Sequence, residues 1–249
     1  MPFPQQPTPG TDAFVSGNFR RTAIAAVSVL LLSGSGIVDT PPDLGFTTRV
    51  SANLISHYAR KFGPATPDHL GEWIGFAKGQ KVSPYVRRLD ASSDRGAGAL
   101  QIVNDAINQQ VKWVDDNTHW GMEDYWATPA ESIGSAGGDC EDYSIAKYYL
   151  LKELGVPLER LRITYVRALK MDGQAHMVLA YYATPDADPM ILDNLDAKVK
   201  SASQRDDLEP VYSFNDDELQ LVQGGLRGKP AQIRAWLAVQ QRLIAESKI

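Results

Sequence analysis

The chain has 249 residues, of which 43% are hydrophobic, and its formal net charge is −5. This length and apolar content are sufficient for an N-terminal leader followed by one globular domain large enough to be an enzyme. Because the sequence has no run rich in Lys or Arg, it offers no electrostatic basis for binding nucleic acid or anionic lipid.

The N-terminus has the features of a secretory leader. Arg20-Arg21 precede the apolar run Thr22–Leu32, and small residues follow at positions 33–36. The run is shorter than the roughly 20 residues that span a bilayer, which favours export over a permanent anchor. We therefore predict a leader over residues 1–38 and one domain over residues 39–249. The Pro-rich stretch Met1–Phe19 is either a long leader or the product of a start codon placed too far upstream.

Three helices are predicted in the first half of the domain. The apolar spacing predicts one helix that ends at Gly63-Pro64, a second that begins at Thr66-Pro67 and ends at Gly79, and a longer third helix. The third helix presents one apolar face, formed by Leu100, Val103, Ile107, Val111 and Val114.

An aromatic segment follows these helices. It contains Trp113, Trp120, Tyr125 and Trp126, and it ends at Thr128-Pro129. Large aromatic side chains most often pack in a core, but they also form the walls of substrate clefts. We expect both uses here, with Trp120 and Trp126 lining a cleft.

The only cysteine of the chain, Cys140, lies in the sequence Gly-Gly-Asp-Cys-Glu-Asp at residues 137–142. A helix is predicted from Asp139 to about Leu154, because Gly155 and Pro157 then stop it. The thiol therefore lies in the first helical turn, where free N–H groups and the helix dipole favour a thiolate. A single cysteine in an exported protein has no internal disulfide partner, so this position favours a nucleophile over a structural thiol.

The residues after this helix predict an antiparallel meander of three strands, over Leu161–Leu169, His176–Ala183 and Met190–Leu195. If the last two strands form a hairpin, Tyr182 lies near Ile191. Counting back along both strands then brings His176 to within a few residues of Asp193.

Cys140, His176 and Asp193 together form a candidate catalytic triad. A carboxylate that binds one imidazole nitrogen orients the other nitrogen towards a thiol, which is the role of the third member of such a triad. Each residue also has a structural explanation: a small buried hydrophobe, a hydrogen-bonded strand histidine and an aspartate that ends a strand. The order of the three along the chain favours the triad.

Several segments carry a resemblance to a known family: residues 124–129, 138–143, 161–166, 175–179 and 192–195, and also 210–215. They resemble the bacterial transglutaminase-like cysteine proteinases, specifically the LapG-type periplasmic proteases. The resemblance implies an α+β, papain-like or transglutaminase-like fold in which a helical half packs on an antiparallel sheet. It also implies that Cys140 is the nucleophile, His176 the base and later the acid, and Asp193 the orienting carboxylate.

The resemblance further implies a requirement for Ca²⁺. Asp139, Glu141 and Asp142 flank the thiol, and their negative charge should raise its pKa unless a divalent cation offsets it. The alternative is that these acids only offset the helix dipole. Zinc is disfavoured, because the chain has no second cysteine and its other histidines are scattered, at His57, His69 and His119.

The substrate and partner implied by the resemblance are periplasmic. The substrate is the N-terminal region of a large LapA-type surface adhesin, cut at a di-alanine site so that the adhesin is released and the biofilm disperses. The partner is the periplasmic domain of a LapD-type inner-membrane cyclic-di-GMP receptor, which sequesters the protease. Two alternatives remain: a transglutaminase that uses the same triad, and a non-catalytic calcium-dependent binding module.

An amphipathic helix over Pro230–Glu246 is expected to dock on the core.

Overall fold

The structure, a computed structural model, describes residues 50–78, 93–222 and 226–249. The predicted leader over residues 1–38 and the predicted helix end at Gly79 lie outside the described residues. The α-helices of the described ranges are α1 (Ala52–Phe62), α2 (Thr66–Ala77), α3 (Ser93–Gln110), α4 (Asp116–His119), α5 (Pro129–Ser135), α6 (Cys140–Glu153) and α7 (Arg234–Glu246). None of these helices has the length and hydropathy that crossing a bilayer requires.

The strands of the described ranges form two sheets. The strands are β1 (Lys112–Trp113), β2 (Gly137–Gly138), β3 (Leu161–Ala168), β4 (Gln174–Tyr181), β5 (Met190–Leu192), β6 (Lys200–Ser201), β7 (Leu208–Phe214), β8 (Leu219–Leu221) and β9 (Arg227–Gly228). β1 and β2 form a small parallel pair, and the other seven form an antiparallel sheet in the order β6-β5-β4-β3-β7-β8-β9. The predicted meander of three strands is thus confirmed as β3-β4-β5.

The first helices begin and end largely where the sequence predicts. Ser51 caps α1 by accepting a hydrogen bond from the Leu54 N–H, and α1 ends at Gly63, whose φ of 114° favours glycine. α3 is the exception, because it ends at Gln110 and the prediction that it reaches Val114 is wrong. Residues 112–113 pair with β2 instead, and the Lys112 N–H donates to the Ala136 carbonyl over 3.0 Å.

The β4–β5 register differs from the prediction by two residues. Ile191 pairs with Ala180 and not with Tyr182, because the connection after β4 is longer than the predicted turn. A shift of two residues keeps every side chain on its predicted face of the sheet. Continuing the register beyond the last pair, Leu179 with Leu192, places Asp193 two residues from His176 along the same face.

Helix α6 lies in the middle of the domain. It packs against β3 and β4 on one side and against α2, α3 and α5 on the other. Its buried residues include Ile145, Tyr148 and Leu150, which join one hydrophobic core with both layers. The predicted α+β arrangement, a helical half on an antiparallel sheet, is confirmed.

The C-terminal helix also docks on this core, as predicted. It begins at Arg234, and the predicted start at Pro230 is wrong because Pro230–Gln232 form a 3-10 turn. Trp236 is fully buried and stacks on Tyr149 of α6 with ring centroids 6.0 Å apart. Helix α6 therefore packs against the C-terminal helix as well as against the sheet and the other helices.

Candidate active site

Cys140 is the first residue of α6, and Asp139 precedes it as the N-cap in an extended conformation. The thiol is half-buried, and its Sγ lies 3.2 Å from Glu141 Oε2. Ser144 Oγ of α6 lies 3.0 Å from both the Cys140 carbonyl oxygen and the carbonyl oxygen of Met177 in β4. Because Met177 directly follows His176 in the chain, α6 and β4 bring the predicted nucleophile and the predicted base to the same place.

His176 and Asp193 form a buried pair. His176 Nε2 lies 2.8 Å from Asp193 Oδ1, and the two residues are only 5% and 1% exposed. The carboxylate requires a donor, so this contact assigns the imidazole proton to Nε2 and leaves Nδ1 as the free nitrogen. The geometry is that of a histidine oriented by an aspartate, as the sequence predicts for these two residues.

Asp193 remains ionised in this setting. Burial alone would favour the neutral acid, but hydrogen bonds from His176, the Leu195 N–H and the Arg205 guanidinium hold the pKa of Asp193 below its usual range. The ionised Asp193 accepts a hydrogen bond from His176 Nε2, which leaves Nδ1 as the proton-accepting nitrogen of the imidazole. The pair can therefore accept a proton from a nearby thiol.

The surroundings of the thiol oppose its ionisation. Burial raises the pKa of Cys140, and the negative charges of Glu141 and Asp139 raise it further. The Met177 backbone lowers the pKa of the thiol but does not offset these effects. The adjacent acids thus oppose the favourable end of the α6 dipole, and a positive charge beside them would favour the thiolate.

The three acids around Cys140 join two others that the sequence analysis did not single out. Oxygens of Asp116, Asp124 and Glu141 lie within 4.8 Å of one another, and so do oxygens of Asp116, Asp139 and Asp142. Asp116 is the first residue of α4, and Asp124 lies in the loop that follows this helix. We call these five residues the acidic cluster.

The acidic cluster fits a hard divalent cation. Asp116 Oδ1, Asp139 Oδ1 and Asp142 Oδ2 are buried without a hydrogen-bond partner in the described part of the chain. Burial and neighbouring negative charges raise the pKa of Asp116 to about 6 and also raise the pKa values of Asp139, Glu141 and Asp142. Unpartnered carboxylate oxygens at this density are the ligands that Ca²⁺ prefers.

The Asp139 side chain does not make the hydrogen bond that an N-cap side chain usually makes. The side chains of Ser51, Asp115 and Thr128 each accept a backbone hydrogen bond at the start of their helices. The Asp139 side chain makes no such bond at the start of α6. Its carboxylate is therefore available to a cation, which argues against the alternative that it serves only the helix end.

The loop over residues 124–127 holds the acidic cluster in place. The Tyr125 N–H donates to Asp116 Oδ2 over 2.5 Å, and the Ala127 N–H donates to Asp142 Oδ1 over 2.7 Å. Trp126 Nε1 donates to Asp124 Oδ1 over 2.8 Å. Successive residues of one loop thus orient three different carboxylates.

The aromatic segment contributes more to packing than to an open cleft. Trp126 is 7% exposed and stacks on Phe214 of β7, so the prediction that it lines a cleft is wrong. Trp120 packs edge-on against Phe62 of α1 and close to Tyr125. The exposed aromatic of this segment is Trp113, which pairs with Gly138 beside the acidic cluster.

Gly138 makes this close packing possible. A Cβ at this position would lie 2.4 Å from Asp142 Oδ2 and 2.7 Å from Asp142 Cβ. Asp142 is fully buried and accepts a hydrogen bond from the Ala127 N–H, so moving its carboxylate would break this bond. Gly138 thus allows Asp142 of the acidic cluster to lie close to the backbone before α6.

The structure adds Asp116, Asp124 and Arg205 to the residues that sequence reasoning selected. The two aspartates belong to an acid-rich stretch, residues 115–124, and this composition was the available signal. Arg205 binds Asp193 from a loop before β7, and nothing in its local sequence marks it.

Comparisons with known proteins show the family of this chain. Residues 80–208 match the sequence model of the bacterial transglutaminase-like cysteine proteinases. The EGTA-treated structure of Legionella pneumophila LapG is 36% identical, with a TM-score of 0.62 over 78% of this chain and 98% of that one. This chain belongs to the bacterial transglutaminase-like cysteine proteinases. A calcium-bound structure of the same Legionella protein matches the proteinase at 35% identity, with a TM-score of 0.59 over 78% of this chain and 99% of that one.

The comparison with curated proteins finds no match for this proteinase. The family and the solved structures confirm the predicted transglutaminase-like cysteine protease fold and the resemblance to LapG-type proteases.

Proposed function

We propose that this proteinase is a calcium-dependent cysteine endopeptidase whose catalytic triad is Cys140, His176 and Asp193. The observation that carries the proposal is the buried contact of 2.8 Å between His176 and Asp193. It is supported by Ser144 Oγ, which lies 3.0 Å from both the Cys140 carbonyl oxygen and the carbonyl oxygen of Met177, the residue after His176. A nucleophile, a base and an orienting carboxylate in this arrangement are sufficient for acyl transfer.

The proposed reaction begins when His176 Nδ1 takes the thiol proton of Cys140. The thiolate attacks a peptide carbonyl carbon, and the Cys140 N–H at the start of α6 donates to the oxyanion that forms. His176 then gives its proton to the leaving amine, and an acyl-enzyme remains on the sulfur. Water, activated by the same imidazole, hydrolyses this thioester and restores the thiol.

The proposed residues that hold calcium are Asp139, Glu141 and Asp142, joined by Asp116 and Asp124. Bound calcium would supply the positive charge that offsets these carboxylates and so favours the thiolate. Two observations support this: the unpartnered oxygens of the acidic cluster, and the calcium-bound structure of the Legionella relative.

The proposed substrate is the N-terminal region of a LapA-type surface adhesin, cleaved at a di-alanine site in the periplasm. Its cleavage would release the adhesin and promote biofilm dispersal. The proposed partner is the periplasmic domain of a LapD-type inner-membrane cyclic-di-GMP receptor. These proposals rest on the family resemblance and on the identity of 36% with Legionella LapG.

The test is cleavage of a di-alanine-containing adhesin fragment by the full chain. We expect two products in calcium and none after chelation with EGTA. The Cys140→Ala variant should be inactive, whereas Glu159→Gln, which changes an exposed acid far from the site, should match the wild type.

The same gel separates the alternatives. Crosslinked products without cleavage would identify a transglutaminase, and cleavage that survives Cys140→Ala would remove the proposed nucleophile. Addition of the receptor's periplasmic domain should protect the fragment, and undiminished cleavage at saturating receptor would contradict the proposed partner.

A further inference from the structure

Arg205 is a buried cation in direct contact with Asp193. Its side chain is 3% exposed, and its Nη2 lies 2.7 Å from Asp193 Oδ2. The other oxygen, Oδ1, accepts from His176 Nε2 and from the Leu195 N–H. Both carboxylate oxygens are thus occupied, and the carboxylate cannot rotate without breaking a contact to a buried donor.

Arg205 is itself anchored on the side away from Asp193. Its Nε donates to Asp207 Oδ1 over 2.9 Å, and its Nη2 also reaches Asp207 Oδ2. The Asp207 carbonyl accepts from the Leu169 N–H at the end of β3 over 2.8 Å. The guanidinium is therefore fixed to the sheet that carries His176, so the base and its carboxylate share one rigid support.

The charged groups facing Asp193 come from three places in the fold. His176 belongs to β4, and Arg205 lies between a 3-10 turn and β7. Lys147 belongs to α6, and the negative charges that act on it are those of Asp193 and of Asp105 in α3. Asn108 of α3 is neutral and donates only to the Asp193 carbonyl. Of these groups, Arg205 alone makes a charged hydrogen bond to the oxygen that His176 leaves free.

Stability is a poor explanation for this ion pair. Desolvation of two buried charges offsets most of their mutual attraction, so a buried pair is weak evidence of stabilisation. Such a pair fixes the orientation of the carboxylate, because the planar guanidinium binds it in a defined plane.

We propose that Arg205 is a positioning residue of the catalytic site: by holding Asp193 Oδ2 it directs Oδ1 to His176 Nε2 and keeps Nδ1 aimed at Cys140. The proposal rests on the proposed triad. A misplacement of reacting groups by about 1 Å costs on the order of 100-fold in rate, so loss of Arg205 should lower kcat by roughly 10- to 100-fold. KM should change little, because Arg205 is buried behind the carboxylate.

The test compares Arg205→Gln and Arg205→Lys with Arg167→Gln in the calcium-loaded full chain. Arg167 is a matched control, since it forms an exposed ion pair with Glu209 across β3 and β7. Two experiments are run below the melting temperature of each variant. Kinetics gives kcat and KM for the adhesin fragment, and NMR gives the downfield proton signal of His176 Nε2. The His176→Gln variant assigns that signal.

The wild type should keep the Nε2 signal to low pH, because Asp193 stays ionised. In Arg205→Gln the pH below which the signal disappears should rise by about one unit or more, as expected for loss of an adjacent cation. Arg205→Lys should recover part of both kcat and the signal, and Arg167→Gln should match the wild type.

An Arg205→Gln variant with the wild-type signal and kcat would overturn the proposal, even if its melting temperature fell. The NMR arm needs no substrate, so it is independent of the proposed function. A wild type that cleaves nothing but shows an Arg205-dependent signal would refute the proposed function and leave the coupling of Arg205 to His176 intact.

Discussion

The Gly138→Ala substitution tests how closely the acidic cluster is packed. The added Cβ would lie 2.4 Å from Asp142 Oδ2 and 3.0 Å from its Cγ, so the carboxylate must move. That movement breaks the bond of 2.7 Å from the Ala127 N–H and leaves a buried donor unsatisfied. The expected cost is about 1–3 kcal/mol of unfolding free energy. For a domain of this size, each kcal/mol lowers Tm by about 2–4 °C.

The same movement should weaken calcium binding. If affinity falls tenfold, the stabilisation by saturating calcium falls by about 1.4 kcal/mol. The assay is thermal unfolding in calcium and in EGTA, with calcium affinity measured by calorimetry. We expect Gly138→Ala to melt lower than the wild type in EGTA and to gain less from calcium.

Gly75→Ala is the matched control for this substitution. Gly75 lies within α2, and a Cβ there would meet nothing within 4 Å. Alanine in a helix interior is favoured over glycine by roughly 0.5–1 kcal/mol, so this variant should melt slightly higher. The packing argument fails if Gly138→Ala keeps both the Tm and the calcium response of the wild type.

Three further predictions follow from named contacts. Asp139→Asn should abolish cleavage and weaken calcium binding while Cys140 remains open to alkylation; unchanged activity and calcium affinity would make Asp139 an ordinary helix-end residue. Burial raises the pKa of Glu246 to about 7, so its stabilising protonated form is lost as pH rises from about 4.5 to above 7. Glu246→Gln should therefore flatten the fall in unfolding free energy over that range, by on the order of 3 kcal/mol, and an unchanged pH slope would contradict this. Deleting α7 removes several buried side chains, each contributing about 1.5–3 kcal/mol, so Tm should fall sharply; an unchanged thermal melt would point to partner contact instead.

Local patterns of the sequence predict the helices whose apolar face and end residues can be recognised from neighbouring positions in the chain. The spacing up to Phe62 and the glycine at position 63 define α1, and the glycine pair before Cys140 locates the start of α6. The prediction for α3 is wrong at its end because residues 112–113 pair with β2. That partner lies 25 residues further along the chain, and periodicity carries no information about it.

The candidate site is predictable where its residues follow one another or lie on paired strands. His176 and Asp193 can be brought together by strand alternation even when the register is wrong by two residues, because both stay on one face. Asp116 begins the short helix α4, whereas Asp124 and Arg205 lie in loops, and their positions depend on hydrogen bonds that the local sequence pattern does not show. The hydrogen bonds from the Tyr125 N–H to Asp116 and from Arg205 to Asp193 form only in the folded domain.

The central claim is that Cys140, with calcium in the acidic cluster beside it, makes this chain an endopeptidase. The most direct measurement is the initial rate of adhesin-fragment cleavage by the wild type and by Cys140→Ala, each in calcium and in EGTA. The claim predicts two cleavage products for the wild type in calcium and none in the other three reactions. Cleavage by Cys140→Ala, or an equal wild-type rate in EGTA, would contradict it.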